Sequence, residues 1–269
     1  MDTTNWVTTL NSTVKTLLTG NSSQFLSFGL AIATGLAIIL IARYGITTAL
    51  SGRGFDFGDF FNEVILLVAT CLCLLKGYAT PMAVFGGDTF PGVVIAGPAN
   101  LAKSITLDSN KKLDTLFKTA LTQDTPDNPL DLSAIASYWV MRLFIEGTRG
   151  IMFAVTAFGL VAQAVLVLIG PVFIPFLLFK PLSFMFWGWF KSLLQYSFYP
   201  LVCACFSSVL TSFFINLYTS QLTDTMTTVQ ALTMIPFFFI IILGMLSVPL
   251  VVSSLFSGST ANLSIAKFL

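Results

Sequence analysis

Histidine is missing from this chain altogether, and charged residues make up only 9% of its 269 positions. Without an imidazole there is no usual general base, no common metal ligand and no switch that titrates near neutrality. Acids are scarce wherever the chain is apolar. The nearest, Glu63 and Glu146, stand at the ends of apolar runs, so neither an activated nucleophile nor a carboxylate pair inside a span can be assembled. The sequence therefore predicts no enzyme, and nothing in it calls for a cofactor. An excess of one charge is lacking too. The 13 basic and 12 acidic residues leave a net charge of +1, which excludes a long-range basic field for nucleic acid and leaves only local contact. Cysteine is sparse: Cys71, Cys73, Cys203 and Cys205, all in apolar stretches. Residues two apart on a helix point to roughly opposite sides, so neither Cys-x-Cys pair clamps one metal, and small apolar fillers are the better reading.

What the chain has in abundance is apolar residues, 55% of the total, with 27 phenylalanines. Such a composition belongs in lipid. Between Gly150 and Thr223 the only charged residues are Lys180 and Lys191. Both lie in Gly170–Val202, where prolines at 171, 175, 181 and 200 forbid one continuous span and predict a helix, an irregular bend and another helix.

The expected architecture is all-α and polytopic, with about five crossings. Residues 1–24 are rich in Thr, Ser and Asn, with Trp6, Val7, Leu10, Val14 and Leu17 at helical spacing, quite unlike a basic secretory signal. Span one runs from about Phe25 to Ala42, about 27 Å at the helical rise. Span two is bracketed by Glu63 and Lys76 and reaches full length only if both side chains snorkel. Span three is Ile151–Ile169, led in by an interfacial helix carrying Tyr138 and Trp139; span four starts near Leu193 and span five near Ile235. Counting Lys and Arg in the short loops puts the N-terminus outside, because Arg43, Arg53, Lys180, Lys191 and Lys267 then share the cytoplasmic side. The long external segment, residues 77–146, begins with Gly- and Pro-rich turns and continues into an amphipathic helix with Leu113, Leu116, Phe117 and Leu121 on one face. That face either covers its own subunit or meets a second copy or a partner.

The spans leave two function classes. A secondary transporter, or a channel unrelated to secretion, would use broken helices to line a substrate site, yet the spans offer little beyond Gln163, Gln195 and scattered Ser and Thr to couple ions, and no inverted repeat is visible. The favoured class is a subunit of a larger membrane complex, with Gly29, Ala31, Ala33, Gly35 and Ala37 suited to helix contacts within or between subunits.

The bend narrows this choice. Gly170 and Pro171 follow a long apolar span; Phe173, Pro175 and Phe179 precede Lys180 and Pro181; Phe186, Trp187, Trp189 and Lys191 come next, and Tyr199–Pro200 lead into the following span. In these features the chain resembles the TrbL-like polytopic inner-membrane proteins of type IV secretion systems, which operate in conjugation and effector export. The order of parts is similar as well: external N-terminus, long periplasmic loop after span two, tryptophan-bearing bend between spans three and four. The resemblance implies a periplasmic segment 1–24, spans in 25–76, a periplasmic loop 77–146, and spans three to five in 147–269 with a cytoplasmic bend 170–191 and a short cytoplasmic tail. It also implies a homo-oligomer, five-fold in the family, that supports translocation of DNA or protein and pilus biogenesis. Its partners would be other inner-membrane subunits, the pilin, the minor pilus-tip protein, the secretion ATPases, membrane lipids and, transiently, the substrate. For the bend itself two roles stand: an aromatic anchor lying in the interface, or a surface offered to partner or substrate.

Overall fold

Long stretches without proline or turn chemistry let a lipid-compatible chain stay helical, and the computed structural model of the protein is built from such stretches. It describes residues 3–52, 54–105, 132–221 and 228–257. Helix α1 is Thr3–Ser51, about 74 Å at 1.5 Å per residue, so the N-terminal segment and span one form one rod. After a short turn comes α2, Phe57–Phe60, capped by the Asp56 carboxylate, which accepts from the backbone N–H of Gly58 at 2.8 Å and of Asp59 at 3.4 Å. A π-turn over Phe61–Ile65 leads without a break into α3, Leu66–Ala79. The Tyr44 hydroxyl donates to the Asp56 carbonyl at 3.0 Å, and the rings of Tyr44, Phe55 and Phe60 meet at 5.2–6.1 Å. This ring cluster fixes the corner between α1 and α2.

Beyond α3 the chain departs from the expected run of turns. Met82–Asp88 closes one tight turn, and a helix, α4, then occupies residues 90–105. Thr89 caps it: its hydroxyl accepts from the Gly92 N–H at 3.2 Å while its carbonyl takes the Val93 N–H. Pro91 fits there because the first turn of a helix has no use for its missing N–H. Residues 106–131 of the external segment, including Leu113, Leu116, Phe117 and Leu121, lie outside the described residues.

Helix α5 is Leu132–Phe173. The lead-in with Trp139 and span three are therefore one helix, since nothing stronger than Gly147 and Gly150 interrupts it and a glycine costs only about 1 kcal/mol in a helix. Two short 3₁₀ turns follow, Ile174–Leu178 and Lys180–Leu182. Helix α6 then runs Ser183–Gln221 and α7 Thr228–Ser257. The irregular part is thus shorter than the expected 170–191. Pro171 and Pro200 sit inside helices, and the helix resumes at Ser183 rather than near Leu193. A single proline removes one backbone bond, which neighbours can replace; Pro175 and Pro181 together prevent any complete α-turn between them.

Among the described residues, five helical stretches are long and apolar enough to cross a membrane: Ser23–Ser51, Phe57–Tyr78, Gly150–Leu178, Lys180–Phe213 and Phe239–Phe256. The protein is an all-α, multi-pass membrane protein, as its composition requires. Two compact units divide the chain. The first, Met1–Gly97 with Leu160–Ser197, holds a core of Ala33, Cys71, Leu75, Val167, Ile174, Leu178, Phe186, Trp189 and Leu193. In the second, Pro98–Gly159 with Phe198–Leu269, the Phe198 and Phe256 rings meet at 5.8 Å, and the Ser207 hydroxyl lies 3.6 Å from the Met152 sulfur.

Candidate functional site

Pro171 in the bend deletes a helical donor, and the structure supplies a substitute for what is lost. In an α-helix the N–H of residue 171 would bond the carbonyl of Val167. Pro171 has none, and the Tyr78 hydroxyl, arriving from the end of α3, donates to the Val167 carbonyl instead. One residue earlier, the Trp189 indole N–H donates to the Leu166 carbonyl at 2.9 Å. Past the proline, the Cys71 thiol faces the Ile174 carbonyl at 3.9 Å, a weak donor at long range. The turn tip closes on itself: Leu182 N–H bonds the Phe179 carbonyl at 2.8 Å and the Ser183 hydroxyl bonds the Lys180 carbonyl at 2.8 Å. Broken helices persist in lipid only when neighbouring side chains take over backbone groups in this way.

Two glycines make the approach possible. A methyl group on Gly170 would overlap the Tyr78 hydroxyl and stand 2.6 Å from the Trp189 ring. On Gly29 of α1 it would run into the Pro171 carbonyl, whose carbon would be 2.8 Å away. Gly170 is therefore the point where α3, α5 and α6 converge, and Gly29 lets α1 lie directly on the proline. Deeper along the same hairpin, the Gln163 amide donates to the buried Ser197 hydroxyl at 3.4 Å.

The expected site residues separate into two sets. Gly170, Pro171 and Trp189 are packed inside the first unit, with Trp189 only 4% exposed. Lys180, Pro181, Trp187 and Lys191 face outward, with Trp187 57% exposed beside Phe184 at 67%. The aromatic run is therefore not one interfacial belt. Residues two apart on a helix diverge by about 200°, so Trp189 and Phe186 enter the core while Trp187 and Phe184 leave it. Phe190 joins the two sets, stacking on Phe186 at 5.9 Å and on Phe90 of α4 at 6.3 Å. Pro200 is not part of this cluster; it is buried within α6 in the second unit.

Sequence reasoning passed over Tyr78, Gly29 and Cys71 as parts of the site. Tyr78 had a readable signal, a hydroxyl-bearing aromatic at the end of a span and two residues after the charged Lys76, but nothing local says which carbonyl it serves. Among the described residues no three metal-capable side chains gather. The site is a backbone joint, built to hold an interrupted hairpin inside an apolar environment.

Compared one by one with curated proteins, the sequence finds no match. The profile of the family described as TrbL/VirB6 plasmid conjugal transfer protein, in contrast, matches residues 37–254. That stretch contains α2, α3, α4, α5, the proline joint and α6 entire, so the match embraces the Tyr78–Gly170–Trp189 convergence and is not confined to generic apolar spans. With its multi-pass helices and its interrupted, tryptophan-bearing hairpin, the chain belongs to the TrbL/VirB6 family and is a component of conjugal transfer or type IV secretion machinery.

Proposed function

We propose that the chain is a channel or assembly-platform subunit of a type IV secretion system, seated in the bacterial inner membrane, N-terminus periplasmic and C-terminus cytoplasmic. Its role is non-enzymatic. It works as a homo-oligomer, a five-fold ring in keeping with its family, alongside other inner-membrane subunits, pilin, the minor pilus-tip protein and the secretion ATPases. It supports passage of DNA or protein and the growth of the pilus. The observation that supports this reading best is the family match across the interrupted α5–α6 hairpin. Just past the two 3₁₀ turns, at the start of α6, Phe184 and Trp187 are exposed and offer an aromatic surface to a partner.

Trp187 gives the direct test. It is exposed, so Trp187→Ala removes a surface group and spares the packing, whereas Trp189→Ala would hollow out the core and confuse the result. In a strain lacking the chromosomal or plasmid copy and complemented with the variant, transfer frequency and pilus number should fall by about tenfold, the loss expected when one aromatic anchor is removed from an interface. Membrane-fraction abundance should be unchanged. Normal transfer by a normally abundant variant would remove this face from the secretion pathway.

A further inference from the structure

Glu63 is an acid that the joint does not use. It sits in the π-turn at the foot of α3, exposed, and forms no ion pair among the described residues. Lys180 stands at the tip of the bend, also exposed and also without an ion pair among the described residues. Two contacts set their depths. The Tyr78 hydroxyl meets the Val167 carbonyl and the Cys71 thiol faces the Ile174 carbonyl, so the chain through Pro171 runs antiparallel to α3. From Cys71, Glu63 lies eight residues back along the helix, roughly 12 Å. From Ile174, Lys180 lies six residues on through the 3₁₀ turns, up to roughly 12 Å in the same direction. The two opposite charges are therefore level to within the reach of a lysine side chain, yet they do not pair within one copy.

Each charge heads a stripe of exposed side chains. Leu66 and Thr70 follow Glu63 at steps of three and four residues on α3, and Phe184, Trp187 and Lys191 follow Lys180 at steps of four, three and four on α6. The two stripes differ in relief. Phe184 and Trp187 stand out as large rings, whereas Thr70 is small and its hydroxyl is already tied to the Leu66 carbonyl at 2.8 Å. Lys76, thirteen residues past Glu63, lies roughly 200° round α3, so a partner seated on the Glu63 stripe does not bring Lys191 against it.

A cyclic assembly about the membrane normal carries each residue to the same depth in every copy, so its contacts join unlike faces at equal depth. We infer that the Glu63 face of α3 in one copy packs against the Lys180–Trp187 face of the bend in the next, with Glu63 and Lys180 paired across the contact. The occupant of both faces is a second copy of this chain. Such a contact presupposes the homo-oligomer proposed above and fixes which of its faces meet. An exposed ion pair contributes little by itself. Packing of Phe184 and Trp187 against the Leu66–Thr70 side holds the two copies together, while the charges set the register and disfavour the reverse pairing. Arg43 lies near that depth too, next to Tyr44, whose ring meets Phe60 of its own copy. Lys180 is the partner because the exposed aromatic pair lies on its side.

The test co-expresses two full-length chains with different tags, both carrying Cys73→Ala and Cys205→Ala so that only the buried Cys71 and Cys203 remain. One carries Glu63→Cys and the other Lys180→Cys, and the membranes are treated with a short bismaleimide. A cross-linked dimer holding both tags should form at least about fivefold above the level seen when Arg43→Cys or Lys76→Cys takes the place of Lys180→Cys. In a second arm, Glu63→Lys and Lys180→Glu should each lower the oligomer recovered in mild detergent by about tenfold, and the two together in one chain should restore it to within about twofold of the parent. An oligomer without a Glu63–Lys180 cross-link above those controls would mean that lipid or another subunit covers these faces, overturning the inference while the homo-oligomer stands. A parent chain that forms no oligomer would overturn both. Single reversals that left the oligomer intact, or an inserted double variant that stayed monomeric, would also overturn the pairing.

Discussion

Replacing Tyr78 with Phe removes one oxygen atom and leaves the ring packed between Phe90 and the helix joint. The atom lost is the donor to the Val167 carbonyl, which Pro171 has deprived of its helical partner. An interhelical hydrogen bond in a membrane is worth about 0.6 kcal/mol on average and about 1.7 at most, while a buried acceptor left unsatisfied costs about 1–3 kcal/mol. The Val167 carbonyl has no alternative donor within its own helix, so the upper part of the membrane range applies: about 1.5 kcal/mol, or about tenfold in the unfolding equilibrium. A second substitution isolates the cause. Pro171→Ala restores an N–H at position 171 that can reach the Val167 carbonyl, so in that background Tyr78→Phe should cost less than about 0.5 kcal/mol, leaving a coupling of about 1 kcal/mol. The four proteins would be purified in mild detergent and unfolded with increasing dodecyl sulfate, with tryptophan emission as the readout. An equal loss from Tyr78→Phe in both backgrounds would refute the idea that the hydroxyl serves the carbonyl orphaned by the proline.

Gly170→Ala should destabilise by about 1–3 kcal/mol in the same unfolding assay, because its methyl group has to displace Tyr78 or Trp189 from well-packed positions. Trp189→Phe should cost about 0.5–1 kcal/mol: it keeps most of the ring area and loses the indole donor, but the Leu166 carbonyl can still take a bond within its own helix. Trp187→Ala should leave the unfolding midpoint within about 0.5 kcal/mol of the parent, as expected of an exposed side chain.

The spans were legible because length and apolarity alone decide them: Phe25–Ala42 and Ile151–Ile169 have no other home. The joint could be located in advance from its prolines, lysines and aromatic residues, since few local patterns combine helix breaking with interfacial anchoring. Its internal order could not. Whether Pro171 breaks α5 depends on Tyr78, which lies far away in sequence and makes the substitution only after α3 has docked. The opposite fates of Trp187 and Trp189 were, in principle, readable from helical periodicity once Ser183–Lys191 is taken as helix. Treating that stretch as irregular hid the periodicity. Likewise, the small residues of α1 announced close packing somewhere, but only the folded chain selects Gly29 as the one lying on the Pro171 carbonyl.

The π-turn at Phe61–Ile65, where the Leu66 N–H reaches back to the Phe61 carbonyl, sets the rotational phase of everything after it. It holds one residue more than an α-turn would, so deleting one residue as the helix regularises would leave the phase of α3 nearly unchanged, whereas regularising with all five residues kept would spin α3 by about 100° about its axis. Cys71, Leu75 and Tyr78 would swing away from the proline joint together, and polar Thr70 or charged Lys76 would be carried toward it. The packing of α3 on the joint thus depends on those five positions keeping their wide turn, even though their side chains make no hydrogen bond to the joint among the described residues.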